Sequence, residues 1–360
     1  GSANSATETF IAYAQIAGEE ATKKTPRTFN IIVNKIPTGG DNIYTYQHGG
    51  SGPTYRIHLF TSTGTSAFEC FNNITGADIL IVGGGGSGGN GLGGGGAGGV
   101  VQWATNYTIT SGSHNLGVGA GGVTTTGSNA NGYYGGNSYF NDGSSNIIAL
   151  GGGGGAGEGK SVDSPSTSTF SNTGGTSYNN NPAGGRASVA GPTYTGWTAY
   201  HNRQGGGGTG PTSYTSGGGA GANGSGGTGT SSNAGTGGVG IQIAWATPRA
   251  LKQATGTTNG TPLDTGFYWA GGGGGSVHVN GQTTGPGRHG GGGGAANTGS
   301  YVGSQGDAEA YNAGGSGNVG NHSAGGAGGA NTGAGGGGGT DGSGNGGAGG
   351  SEIVIIRYAI

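Results

Sequence analysis

The side chains that could act on a substrate or hold a metal are few and scattered. Seven histidines, His48, His58, His114, His201, His278, His289 and His322, never fall at the close spacing of a helical metal pair. Only His278 and His289 flank one loop, where a hairpin could bring them together. The acids of the glycine-rich part, Glu158, Asp163, Asp264, Asp307, Glu309 and Asp341, could supply two carboxylates for glycoside hydrolysis, but no two form a recognisable constellation. The single Cys70 excludes an internal disulfide, and a lone thiol of this kind reads as a core residue. With 101 glycines in 360 residues, phosphate-loop patterns arise by chance, and Lys160 stands alone rather than in a Gly-Lys-Ser/Thr motif. These residues predict a protein that is not an enzyme, needs no cofactor and binds no metal.

Recognition is the chemistry that the remaining side chains suit. Tyr133, Tyr134, Tyr139 and Phe140 lie between glycine blocks, followed by Phe170, Tyr178, Tyr194, Trp197, Tyr200, His201 and Tyr214. Asn129, Asn131, Asn172, Asn179, Asn180 and Asn181 are interleaved with them, and Arg186 and Arg203 stand nearby. Tyr, Trp, Asn, Ser and Gly also dominate antibody loops, because rigid rings give contact area beside adaptable hydrogen-bonding groups. Ring faces over sugars, with Asn and Arg reaching hydroxyls, suit a glycan or a loop of a surface protein. The same rings could instead form a substitute core over the glycine segments. The interval 160–204 is the longest between glycine blocks, and long loops in compact bodies usually carry function. A receptor-binding surface is therefore expected on Tyr133, Tyr134, Tyr139, Phe140, Tyr178, Tyr194, Trp197, Tyr200 and His201.

What must position these residues follows from composition. Only 10 prolines and no Gly-X-Y period exclude collagen, and a formal charge of −2 is too small for the solvated chain of a disordered protein. Ordering a glycine costs more backbone entropy than ordering any other residue, so about a hundred of them need a compensating force other than side-chain burial. Lateral backbone hydrogen bonding between closely packed extended chains supplies it. The glycine blocks are accordingly read as polyglycine II helices, with three residues per turn and donors pointing sideways. Ala324, Ala327 and Ala330 recur every third residue, as do Asn345, Ala348 and Ser351, and also Ala222, Ser225, Thr228, Ser231 and Ala234. Such rows should lie on edges facing solvent or loops. The block 83–99 would span about 50 Å as one such helix. The expected fold is irregular all-β, with short strands framing a bundle or sandwich of packed polyglycine II helices and almost no α-helix.

Residues 1–54 carry a denser charge and read as an attachment segment or small module, and 55–360 as the glycine-rich domain. Within the first, Phe29 to Asn34 reads as a strand. Beyond it, strands are expected at Tyr55 to Phe60, Phe68 to Phe71, Asp78 to Val82, Val100 to Ala104 and Tyr107 to Thr110. The closing run Ile353-Val354-Ile355-Ile356-Arg357-Tyr358 is apolar enough to be buried on both faces. The longest apolar stretch, Ala77 to Val82, is far too short to span a bilayer as a helix. No charged run marks a nucleic-acid footprint.

Three segments carry a resemblance. Ala77-Asp78-Ile79-Leu80-Ile81-Val82 entering a glycine block, His114-Asn115-Leu116-Gly117-Val118-Gly119-Ala120-Gly121-Gly122, and Gly349-Gly350-Ser351-Glu352-Ile353-Val354-Ile355-Ile356-Arg357-Tyr358 are similar to the glycine-rich domain of phage tail-fibre and adhesin proteins. The chain departs from that pattern at Glu352, where glycine is expected, and at Gly117, which breaks an apolar alternation. The resemblance covers roughly 55–360 and extends to the distal adhesins of T-even-like phages. It implies stacked polyglycine II helices with receptor-reading loops at one end, a host-surface receptor as partner, a carrier fibre or neighbouring subunit joined through residues 1–54, and a place on the virion surface or outside the cell. The alternative is a structural subunit of a secreted or virion-surface filament.

Overall fold

The computed structural model describes residues 6–14, 25–33, 35–47, 52–162, 172–178, 192–210, 213–245, 267–297 and 310–360. Among these residues the regular elements are all β-strands, joined in antiparallel sheets. One hairpin pairs β1 (Ala6–Ala14) with β2 (Thr25–Val33). A six-stranded sheet is built from β3 (Asn42–Gln47), β4 (Thr54–Phe60), β6 (Ile74–Val82), β7 (Val101–Ile109), β11 (Thr198–Tyr200) and β14 (Ile353–Ala359), in the order β11-β7-β6-β14-β4-β3. A four-stranded sheet holds β5 (Gly64–Cys70), β8 (Gly112–Val118), β9 (Ser138–Asn141) and β10 (Asn146–Ala149), in the order β10-β9-β8-β5. Two short strands, β12 (Ile241–Gln242) and β13 (Tyr268–Trp269), pair with each other.

The period-two geometry of β6 and β14 divides their apolar runs between two cores. Ile79, Ile81, Val354, Ile356 and Tyr358 join Phe60, Phe68, Leu116, Phe140 and Ile147 between the two sheets. Leu80, Val82, Ile353 and Ile355 face the other way, onto Ile57, Leu59, Phe267 and Trp269. Both faces of the closing strand are thus buried, as its composition predicts. Arg357 sits opposite Asp78 in the β14–β6 register. Its guanidinium donates to Asp78 and, at 2.9 Å, to the Tyr46 hydroxyl, while Tyr55 and Trp245 lie against it with ring centroids 4.4 and 5.0 Å away. The charge is buried, but every side of it is paired.

Two sequence boundaries are corrected here. β3 pairs with β4 along its whole length, Thr38 bridges Glu69, and Tyr46 enters the second core. Residues 35–47 therefore belong to the body, and a division at residue 54 falls too late. The two strands expected across 100–110 are one, β7, whose polar middle is absorbed by register irregularities against β6 and by Asn106 at φ 54°.

The glycine blocks form a lattice with threefold periodicity. Gly83, Gly86 and Gly89 donate to the carbonyls of Val100, Ala97 and Gly94; Gly84, Ser87 and Asn90 to Gly136, Tyr133 and Ala130; and Gly85, Gly88 and Gly91 to Gly350, Gly347 and Gly344. Each third residue thus addresses one of three neighbouring segments, as a polyglycine II helix requires. Segment 216–222 repeats the scheme: Ser216, Gly219 and Ala222 donate to Ser276, Gly273 and Ala270, and Gly217 and Ala220 to Thr176 and Thr173. Apart from the turn residues Gly91 and Leu92, residues 83–99 avoid the left-handed region.

The single 50 Å helix expected over 83–99 is two. Gly91 and Leu92, at φ 60° and 53°, reverse the chain, so 83–90 and 93–100 lie antiparallel, each about 25 Å long. Of the threefold rows, Ala327 and Ala330 are exposed and Asn345, Ala348 and Ser351 partly so. Ser225, Thr228 and Ser231 are exposed too, but Ala222 and Ala234 are buried. That run crosses two turns, marked by Gly221 donating to Gly224 and Thr230 to Asn233, so it is not one edge.

Glu352 and Gly117 each have a local reason. The buried Glu352 carboxylate accepts from the Gly84 and Gly119 N–H groups and the Ser138 hydroxyl, tying β6, β8 and β9 to the start of the lattice. Burial, opposed by these donors, raises its pKa to about 8. Gly117 faces Tyr139 across the β8–β9 ladder, and a methyl group there would overlap the tyrosine ring.

Candidate functional site

The lattice has two unlike ends, and its hydrogen-bond register assigns the described turns to one or the other. Segment 83–90 leaves β6, so Gly91 is remote from the sheets. Asn90 bonded to Ala130 and Gly91 bonded to Gly344 place the turns near 127–130 and 341–344 at that height. Glu158 donating to Asn90 brings 157–160 there. Ala156 bonded to Gly175, Gly217 to Thr176 and Ser216 to Ser276 carry the same level to Tyr178, Tyr214 and His278. Among the described residues, the free end of the bundle is therefore made of turns from separate glycine segments.

Five of those side chains, joined by His322, form a row. The Tyr178 hydroxyl donates to Glu158 Oε1 at 3.0 Å. The Tyr178 and Tyr214 rings lie 4.9 Å apart, and Tyr214 and His278 lie 5.7 Å apart, edge to face. His278 Nδ1 is 4.0 Å from Asp341 Oδ1, and both side chains are 36 % exposed. His322 Nδ1 meets the Asp341 carbonyl at 3.2 Å, and Asn297 donates to the His278 carbonyl at 3.2 Å. Burial, then the Glu158 hydrogen bond, pushes the Tyr178 hydroxyl above its ordinary pKa.

The expected recognition residues do not assemble into one surface. Tyr133 and Tyr134 are 50 % and 58 % exposed, but they stand on the side wall of the bundle, beside Ser87. Phe140 is fully buried in the core against His114, so its assignment to a receptor surface is corrected: β9 turns it inward. Tyr139 is half-buried over Gly117. Tyr194 accepts the Ile148 N–H at 3.0 Å, and Trp197 sets its edge to Tyr107, with both packed on the first core. Tyr200 lies in β11, packed against the second core, and His201 follows it, half-buried, its pKa lowered by burial and then by Arg203. Of the nine, Tyr178 alone reaches the row at the free end.

The interval 160–204 is likewise not one loop, because Thr173 and Thr176 bond to Arg203 and Gly206 as a further lattice segment. Phe170, Asn179, Asn180, Asn181 and Arg186 lie outside the described residues. His278 and His289 do not meet, since His289 stacks on Tyr268 at 3.8 Å beside β13. Among the described residues no group of three or more His, Cys, Asp or Glu side chains could hold a metal ion. Sequence reading missed Tyr214, His278, Asp341 and His322 as partners because each occupies a different turn.

A β-sandwich carrying a lattice of threefold glycine segments, with polar and aromatic turns at the free end, defines a glycine-rich domain. The chain belongs to that family: the model of the glycine-rich domain matches residues 61–250, more than half of the 360 residues. No curated protein matches it.

Proposed function

We propose that this chain is a non-enzymatic adhesin, the receptor-binding tip of a phage tail fibre or spike, working at the virion surface or outside the cell. The observation that carries the reading is the separation of its ends. Residues 35–47 join the body through the sandwich, whereas the turns carrying Glu158, Tyr178, Tyr214, His278 and Asp341 lie at the opposite end. An attached base and a free, chemically varied tip are what adhesion needs. In this reading the segment before residue 35 engages the carrier fibre or a neighbouring subunit, and the turn end meets a host-surface receptor.

The lattice supports the reading energetically. Turns held by laterally bonded backbone lose little further freedom when a receptor docks, so less of the contact energy is spent on ordering. The test is adhesion of the purified chain to a panel of bacterial strains, with its association state followed in the same buffer. The adhesin reading expects strain-selective binding by a chain that does not polymerise. Concentration-dependent polymerisation without adhesion would instead identify a filament subunit.

A further inference from the structure

We propose that the row Glu158–Tyr178–Tyr214–His278–Asp341–His322 binds an uncharged oligosaccharide. The proposal rests on the adhesin reading above and names the chemistry of its receptor.

The row joins ring faces to hydrogen-bonding groups of both kinds. Tyr178, Tyr214 and His278 provide three rings in sequence, with Tyr214 touching both others. Glu158 and Asp341 offer carboxylate acceptors, and His278, His322 and the Tyr214 hydroxyl can donate. A sugar hydroxyl both donates and accepts, and a pyranose presents a C–H face to a ring, so it uses all of these at once. A cationic side chain would use the carboxylates and rings but leave the donors idle. A phosphorylated or acidic glycan would face two carboxylates with no arginine in the row, where bidentate guanidinium groups normally do such work. A protein loop is best gripped by anchors in a fully desolvated pocket, whereas Tyr178, Tyr214 and His278 are only partly covered. The centre of this row is instead Tyr214 beside His278, two polar-tipped rings.

Preorganisation comes from the turns beneath the rings. Tyr214 is held at φ 47° in a turn closed by Thr209 and Thr215, whose hydroxyls lie 2.7 Å apart. The His278 carbonyl is held by Asn297. Weak contacts to sugars are effective only if the ring positions are set beforehand, and here the turns beneath Tyr214 and His278 set them.

The full chain is tested on immobilised neutral bacterial oligosaccharides and on their phosphorylated and uronic-acid counterparts. The expected result is binding to at least one neutral glycan that is insensitive to ionic strength. Tyr214→Ala should weaken it about tenfold or more, a loss of about 1.4 kcal/mol, with Tyr214→Phe, which keeps the ring face and loses only the hydroxyl donor, weakening it less. Asp341→Asn should weaken it as well, with unchanged melting temperatures for all three variants. Binding only to the anionic glycans, or to none, would overturn the proposal. Cell adhesion that survives periodate oxidation of surface sugars but is lost on protease treatment would also overturn it, while leaving the adhesin function intact. Polymerisation without cell adhesion removes the adhesin reading itself.

Discussion

The sandwich and the glycine lattice hold their chains together by different means. Between the sheets, Phe60, Phe68, Leu116 and Phe140 fill space with side chains, and the backbones stay apart by the width of the residues between them. Where two glycine edges of the lattice meet, no side chain intervenes. A methyl group on Gly85, Gly88 or Gly335 would overlap the carbonyl of Ala334, Gly337 or Gly96 on a neighbouring segment. Burial there serves to keep water from backbone hydrogen bonds, and the bonds supply the specificity that side-chain shape supplies in the sandwich. A core tolerates hydrophobic exchange at constant volume, whereas lattice glycines packed on a neighbouring carbonyl, such as Gly85, tolerate no added volume.

Gly85→Ala should therefore cost more than a large deletion in the core. The new methyl forces segments 83–90 and 333–339 apart. It also strains the Gly85 N–H bond to Gly350 and the Gly122 N–H bond to Gly85, at 3.0 and 2.8 Å. Overpacking at about 1–3 kcal/mol, with about 1–3 for each buried donor left unpaired, gives about 5 kcal/mol. Phe140→Ala, which removes a whole buried ring, should cost about 3–5 kcal/mol. Gly210→Ala, with nothing near its added methyl group, should stay within about 0.5 kcal/mol. Chemical denaturation of the three variants tests the ranking; a harmless Gly85→Ala would break the comparison.

The joint between the two regions should respond to pH. Among the described residues no basic side chain pairs with the buried Glu352, and its pKa rises to about 8 from an ordinary 4.5. Between those values the folded protein keeps a proton that the unfolded chain has released. Stability contributed by the group is full below about pH 4.5 and falls as pH rises towards about 8, by up to about 1.4 kcal/mol per pH unit. On protonation the Ser138 hydroxyl can turn to accept rather than donate. The melting temperature should be lower at pH 8 than at pH 5, and Glu352→Gln should flatten that slope. An equally steep slope in the variant would assign the dependence to other groups.

Legibility in the sequence divided along the same line. Strands whose side chains alternate or run apolar, such as Ile353–Ala359, declared both their extent and their double burial. The threefold row Ala324, Ala327 and Ala330 declared the lattice. The turns did not declare themselves, because a turn is normally read from glycine and here glycine is everywhere. Leu92 carries no sign that the chain reverses beside it. The candidate site was hidden for a related reason. Its members fall on separate turns, and only the three-way register that levels those turns brings them together. Aromatic density pointed to the 194–201 region, where the rings cover the sandwich.

The last effect concerns Trp197, which separates the two regions functionally. Its ring meets Tyr107 edge to face at 5.4 Å, and Tyr107 in turn donates to Asp142 at 2.8 Å. Burial, with the Asp142 carboxylate second, pushes the Tyr107 hydroxyl up to about 12, as expected for a covered group. Trp197 is thus a lid on the edge of the first core, half-buried rather than enclosed. Trp197→Ala should cost about 2 kcal/mol, below the range for a fully enclosed tryptophan, and lower the melting temperature accordingly. If recognition belongs to the turn end, adhesion measured well below that melting temperature should be unchanged. A thirtyfold loss of adhesion, about 2 kcal/mol, with normal thermal unfolding would return the binding surface to the sandwich end and make the turn row a passive feature of the lattice.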